Sequence, residues 1–366
     1  MRYKKTIIIL LIFLVLLFSG CTSFFEGNNT VTYSAQPTII SYVISYGYSI
    51  NCSGSGTFKI SYDCDDPEVL KGTTFIEKVL GKNYTNKTGI ATFNDMKSWD
   101  ISKTGICTAY ELGITASIYS EALVVNDLTG ENALSLSEIK NNHQNFVESY
   151  CKSQSNKTTV FIDPNNPEIK NKAYEIYNSA ETNNSFILSK KLFIWLKENT
   201  EYKTHLVKNN PQPASLTMKL KTGDCDDLTY LYLSMCKSLD IPCRFIRGFL
   251  IYENTAVPHA WAEVFVGGNI GDNGWIPVEC AGERKNIDEI DAEVHQNFAL
   301  ESADHLRLFK DDGSNESLNI SLSGISYMTD QNVNFDSPVF FNVITDYEKI
   351  SSKKLYIDEN ENRIFK

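Results

Sequence analysis

Cys225, His259 and Glu279 are the residues of this chain whose chemistry could combine. A thiolate attacks a carbonyl carbon, an imidazole takes the thiol proton, and a carboxylate orients the imidazole and stabilises its charged form. They stand in Gly223-Asp224-Cys225-Asp226-Asp227, Pro258-His259-Ala260-Trp261 and Trp275-Ile276-Pro277-Val278-Glu279. Being distant in sequence, they can act together only if the elements between them impose the geometry.

The first element is a helix. Apolar residues at Leu228, Leu231, Tyr232, Met235 and Leu239 follow the spacing of one buried face, so Cys225 falls in the first turn. Free N–H groups and the positive end of the helix dipole favour a thiolate there, whereas Asp224, Asp226 and Asp227 oppose it by repulsion. The helix must stop before Pro242, and Cys243–Tyr252 reads as a strand. A hairpin follows: His259–Val266, a turn-forming stretch Gly267–Gly274, and Trp275–Glu279 returning. His259 and Glu279 lie at similar distances from that turn, and opposed side chains come within about 5 Å. Glu263 shares a face with His259 but sits four residues along, roughly 13 Å away, and is the poorer partner.

Gly223-Asp-Cys225, His259-Ala-Trp261 and Trp275-Ile-Pro-Val-Glu279 resemble the motifs of the transglutaminase-like superfamily, a papain-like fold with G-x-C before a helix, H-x-W on a strand and W-x-x-x-D on the next. The resemblance extends from about Asn165 to Leu308, including helices around Ala173–Ala180 and Ser189–Glu198. It implies an α+β protein whose core, residues 165–310, packs a helix on an antiparallel sheet and carries a Cys225–His259–Glu279 triad. It also implies thioester chemistry on protein or peptide amides, ending in hydrolysis or in transfer to an amine. The family usually has Asp where Glu279 stands; the longer side chain would orient the imidazole more loosely, and Glu279→Asp is expected to be mild. The alternative reading is an inactive scaffold or binding protein that keeps the fold.

The chain opens with Met1-Arg-Tyr-Lys-Lys5, continues with an apolar run from Ile7 to Phe18, and reaches Ser19-Gly20-Cys21. A bilayer span needs about 20 apolar residues, so this reads as a signal peptide, residues 1–20. Cys21 is the expected lipidation site, of prokaryotic lipoprotein type, followed by a linker to residue 36; an uncleaved signal anchor is the alternative. Either way the protein is expected outside the cytoplasm, held at the cell membrane, with its substrates at the cell surface. A net charge of −11 without a basic stripe argues against nucleic acid as a partner. No glycine-rich phosphate loop, paired Cys-x-x-Cys knuckle or internal repeat appears, so no cofactor or metal is expected.

Nine cysteines in an exported chain suggest disulfides. Cys236 and Cys243, flanking a tight turn, could bridge; Cys52 and Cys64 could not if Ser53–Gly56 is a hairpin turn. Asn-x-Ser/Thr sites, from Asn28 to Asn319, avoid the segment between Phe186 and Ser314, which is compatible with a glycoprotein. Alternating stretches at Ile39–Ile50, Thr57–Tyr62, Thr73–Val79, Ile90–Phe93 and Ala116–Val125 predict a small β-sandwich-like domain over residues 37–128. A helical connector, 129–164, leads to Pro167 at a helix start. A C-terminal β-strand extension, 311–366, carries strands at Leu318–Ile325, Val339–Val343 and Lys354–Ile357 and a polar tail at Asp358–Asn362. His143, His205, His295 and His305 have no recognisable partner spacing and read as surface or structural.

Overall fold

The computed structural model of the protein describes residues 31–88, 94–152, 160–204, 211–281, 290–314, 317–318 and 324–366. Strands β1 (Val31–Ile50), β2 (Cys52–Asp65), β3 (Gly72–Leu80), β4 (Tyr84–Lys87), β5 (Met96–Ile106), β6 (Tyr110–Glu121) and β7 (Leu123–Val124) come first. Helices α1 (Leu136–Asn142), α2 (Gln144–Cys151), α3 (Pro167–Ser179) and α4 (Ser185–Asn199) follow, then β8 (Glu201–Tyr202), α5 (Ala214–Leu220), β9 (Thr222–Gly223) and α6 (Cys225–Ser238). The chain continues through β10 (Cys243–Tyr252), β11 (Thr255–Phe265), β12 (Trp275–Val278), α7 (Ile290–Asn297), β13 (Leu300–Glu301) and β14 (His305–Lys310). It closes with β15 (Ser326–Thr329), β16 (Val333–Phe335), β17 (Val339–Ile357) and β18 (Arg363–Phe365). This is the α+β class expected from the sequence.

Period-two burial builds the first core. Ile40, Tyr42, Ile44 and Tyr46 of β1, Phe58, Ile60 and Tyr62 of β2, and Leu112, Ile114 and Ile118 of β6 are all buried, as residues on one face of each strand. They lie between two sheets, ordered β18-β17-β1-β6-β3 and β15-β2-β5-β4 with β16 also on β2. Cys52 and Cys107 form a disulfide within this sandwich. Both ends of the chain contribute strands: β17 runs antiparallel to β1 from Val31 opposite Ile357 to Ser49 opposite Val339.

Several local expectations change. Ser53–Gly56 is no turn but part of continuous β2. Gly54 is required there because β16 crosses so closely that a Cβ would lie 2.0 Å from the Asn332 carbonyl oxygen, at a φ of +98°. Val339–Val343 and Lys354–Ile357 are the two ends of one strand, β17. Ile90–Phe93 and residues 319–323 lie outside the described residues, and the next described strand is β15. Asp358–Asn362 is the turn joining β17 to β18, closed by N–H bonds from Asn360 and Asn362 to Asp358 Oδ1 at 2.9 and 2.8 Å. Beyond it, buried Arg363 donates to the carbonyls of Val125, His295 and Ala299 and so ties the sandwich to the helical half.

The second core surrounds α6. Asn166 caps α3, whose first residue is Pro167, and Asn184 caps α4. These helices pack with α5 and α6 against an antiparallel sheet ordered β12-β11-β10-β14. Leu228, Leu231, Tyr232 and Met235 are buried as the periodicity required, and the rest of α6 beyond its first turn is buried too. α6 is thus the central helix, and its N-terminus meets the middle of β11.

Candidate active site

Cys225 is the first residue of α6, with Asp224 as N-cap. The turn is pinned by Asp227, fully buried, whose Oδ2 accepts from the Asp224 N–H at 3.1 Å and whose Oδ1 accepts from the Gln212 N–H at 2.7 Å. Gly223 precedes it because a Cβ there would fall 2.6 Å from the Asp227 Cβ. The N–H of Ala260 on β11 donates to the Cys225 sulfur, which places the thiol against the residue that follows His259. The sulfur is not the depressed-pKa thiol that helix position alone suggests. Burial, then the charges of Asp226, Asp224 and Glu279, push its pKa up well beyond the ordinary range, and the single Ala260 N–H only partly opposes them. Asp226 is itself raised to about 6 by burial, against the pull of Arg247. Tyr202 on β8 belongs to the same neighbourhood: burial and then Cys225, Asp224 and Glu279 raise its pKa to about 12.

His259 and Glu279 meet as the hairpin predicts. The ladder pairs Ala262 with Val278, so Glu279 lies one residue past the last rung, its N–H held by the Asn297 carbonyl at 2.8 Å. From there Glu279 Oε2 accepts from His259 Nε2 at 2.6 Å, while Oε1 accepts from the Ala281 N–H at 2.8 Å. That bond commits Nε2 to the carboxylate and leaves Nδ1 as the nitrogen able to serve the thiol. Burial would raise the Glu279 carboxyl, but the charges and hydrogen bonds of His259 and His305 outweigh it and hold the group ionised, far below the usual carboxylate range. His259 lies over Trp261, ring centroids 5.9 Å apart at 21°.

Residues 170–280 match the family model described as the transglutaminase-like superfamily. The chain carries a transglutaminase-like domain. No curated protein matches the sequence. Among solved structures, a candidate cysteine protease from Cytophaga hutchinsonii gives a TM-score of 0.47 at 13% identity, over 89% of this chain and 99% of that one. The periplasmic domain of TgpA from Pseudomonas aeruginosa gives 0.32 at 10% identity, over 73% of this chain and 95% of its own. A candidate protease from Parabacteroides distasonis gives 0.25 at 8% identity, over 63% and 42%.

The site contains a partner that spacing did not reveal. His305, read from the sequence as surface or structural, is buried at the start of β14 and brings its Nε2 to 3.3 Å from the same Glu279 Oε2. Its ring meets Trp261 edge-on at 4.8 Å and His259 at 5.9 Å between centroids. The one sequence signal was that His305 opens the alternating run His-Leu-Arg-Leu-Phe-Lys, as His259 opens the run His-Ala-Trp-Ala-Glu-Val-Phe-Val. The ligand-type atoms of His259, Glu279 and His305 lie within 4.8 Å of one another, and the hydrogen bonds between them account for that closeness.

Behind the triad is a buried ionic scaffold. Trp261 Nε1 donates to Glu301 Oε2 at 2.9 Å, and Arg307 binds Glu301 through Nε at 3.0 Å. Glu263, which sequence spacing placed too far from His259, is held by Arg244 Nε and Arg307 Nη1, each at 2.6 Å. Burial opposes its ionisation, yet the two guanidinium groups bring its pKa down to about 2. Cys236, Cys243 and Cys280 are buried free thiols, so the bridge considered between Cys236 and Cys243 is absent. Cys64 is likewise free, since Cys52 pairs with Cys107. A cavity of about 840 Å³ lies between Leu123–Asp127 and Gly268–Gly271, and no member of the triad lines it. Cys21 and His205 lie outside the described residues.

Proposed function

We propose that the protein is an extracytoplasmic thiol acyl-transfer enzyme. The observation that carries this reading is the 2.6 Å bond from His259 Nε2 to Glu279 Oε2, with the Cys225 sulfur seated on the neighbouring Ala260 N–H. Because the resting thiol is protonated, the proton must leave during attack. His259 Nδ1 takes it as the sulfur bonds to an amide carbonyl carbon, and Glu279 stabilises the imidazolium so formed. The Cys225 N–H, which has no intrahelical acceptor at the first helical position, is the proposed donor to the carbonyl oxygen as it gains charge. Collapse of the tetrahedral adduct breaks the C–N bond; the imidazolium returns its proton to the leaving amine, and a thioester on Cys225 remains. Water then completes hydrolysis, or an amine completes transfer. Substrates on this reading are proteins or peptides at the cell surface.

Location outside the cytoplasm is supported by the Cys52–Cys107 disulfide, a bond that persists in oxidising compartments. Among the described residues no helix is long and apolar enough to cross a membrane, so the proposed tether is the segment through Cys21, by lipid or as a signal anchor. A second reading, a binding protein that retains the fold without turnover, draws on the three carboxylates that raise the Cys225 thiol. Incubating the protein with a library of surface peptides and reading adducts by mass spectrometry separates them. An acyl adduct on Cys225, absent from Cys225→Ala, supports the enzyme; no adduct on any peptide or activated ester supports the binding protein.

A further inference from the structure

We propose that His305 is a positioning residue of the triad, fixing Glu279 Oε2, the atom that holds His259, from a second direction. This rests on the reading of Cys225, His259 and Glu279 as the reacting group. Both His305 ring nitrogens face acceptors. Nε2 is 3.3 Å from Glu279 Oε2; Nδ1 is 3.2 Å from Asp304 Oδ1 and 3.0 Å from Ser302 Oγ. Ser302 gives its own proton to Asp304, so its oxygen can only accept from the ring. A neutral imidazole has one N–H and could satisfy only one side, so the geometry selects the imidazolium. The surroundings agree: the carboxyl groups of Asp304 from its own loop, Glu301 from β13 and Glu279 after β12 all favour the charged ring, and His259 on β11 lies beside it. Beyond Asp304 stand the phenols of Tyr42 on β1 and Tyr347 on β17. Burial alone would lower the His305 pKa, but the bonds to Asp304 and Glu279 bring it up to about 10.

One consequence follows for the site. Glu279 is held at three points, by His259, His305 and the Ala281 N–H, which removes the looseness a glutamate would otherwise bring.

The test compares the full-length protein with His305→Gln, which keeps a donor but no charge, and His305→Ala. Ring ¹⁵N and Cε1–H NMR follow the imidazoles, and p-nitrophenyl acetate reports acylation of Cys225. In wild type, both His305 nitrogens should carry protons at pH 7. His305→Gln, which can still donate to Glu279, should acylate within about threefold of wild type. His305→Ala should lose about tenfold in plateau acylation rate with KM unchanged, as expected for lost orientation. A neutral His305 in wild type, or a His305→Ala variant that melts cooperatively and acylates at the wild-type rate, overturns the assignment. The wild-type measurement decides even if neither variant folds. A doubly protonated His305 in a protein that never acylates would leave His305 as assigned and overturn acyl transfer instead.

Discussion

Replacing Glu279 by Gln tests the proposed mechanism at its least typical residue. Glu279→Gln preserves size but removes the charge opposite His259 and puts an NH₂ where two N–H donors already point. With charge centres about 4 Å apart and an effective dielectric constant near 20, the imidazolium loses about 4 kcal/mol of stabilisation, or roughly 10³ in acylation rate. Carboxylate-to-amide changes in comparable triads cost on the order of 10⁴. Glu279→Asp, expected from sequence to be mild, takes on a different expectation from the structure. Shortening the chain by one methylene, about 1.5 Å, cannot keep both the 2.6 Å bond to His259 and the 2.8 Å bond to Ala281 N–H. We expect the Asp variant to lose about tenfold or more, as orientation loosens. The assay is the burst of nitrophenolate from p-nitrophenyl acetate under single-turnover conditions, with thermal melts to show that all three proteins fold alike. A Gln variant that acylates at the wild-type rate refutes the role given to Glu279 and reduces the site to a Cys225–His259 dyad.

Iodoacetamide should reach Cys225 first among the described thiols, since the other free ones are buried, but its rate should keep climbing above pH 9 because burial and Asp226 raise the thiol. A plateau below pH 8 would mean a stabilised thiolate and contradict that electrostatic picture. Reducing Cys52–Cys107, whose partners are 55 residues apart, should destabilise the sandwich by about 4 kcal/mol, read as a lower unfolding midpoint in dithiothreitol. For pH, the His305 pKa is raised on folding to about 10, so its contribution is complete below an unfolded value of about 6.5 and is lost as pH rises through 10. Unfolding free energy should therefore fall between pH 6.5 and 8, below the range where buried thiols add their own loss, and His305→Gln should flatten that slope; parallel curves would count against it.

The elements that place Cys225, His259 and Glu279 were legible because each is local. A glycine before a capped helix, a proline ending it, and a hairpin of readable length fix those residues within their own neighbourhoods. His305 was not legible, because β14 reaches the site by pairing with β10, where Gly248 lies opposite Arg307 and Leu250 opposite His305. No spacing in sequence encodes that register. β17 was read as two short strands because most of its residues are exposed on both faces, which erases the period-two signal across its middle. The sign of the Cys225 shift also escaped: helix position is written in sequence, but the depth of burial and the approach of Glu279 are not.

The pairing of β1 with β17 has a bearing on how the molecule comes into being. A chain made from its N-terminus forms β1 before the helical half and β17 after it, so one edge of β1, with Ile40 and Ile44 beside it, must wait through the synthesis of that whole half. Contacts of such sequence separation fold slowly, and a waiting strand edge is a template for pairing with other chains. Loss of the last thirty or so residues would therefore not trim a tail. It would strand the first strand.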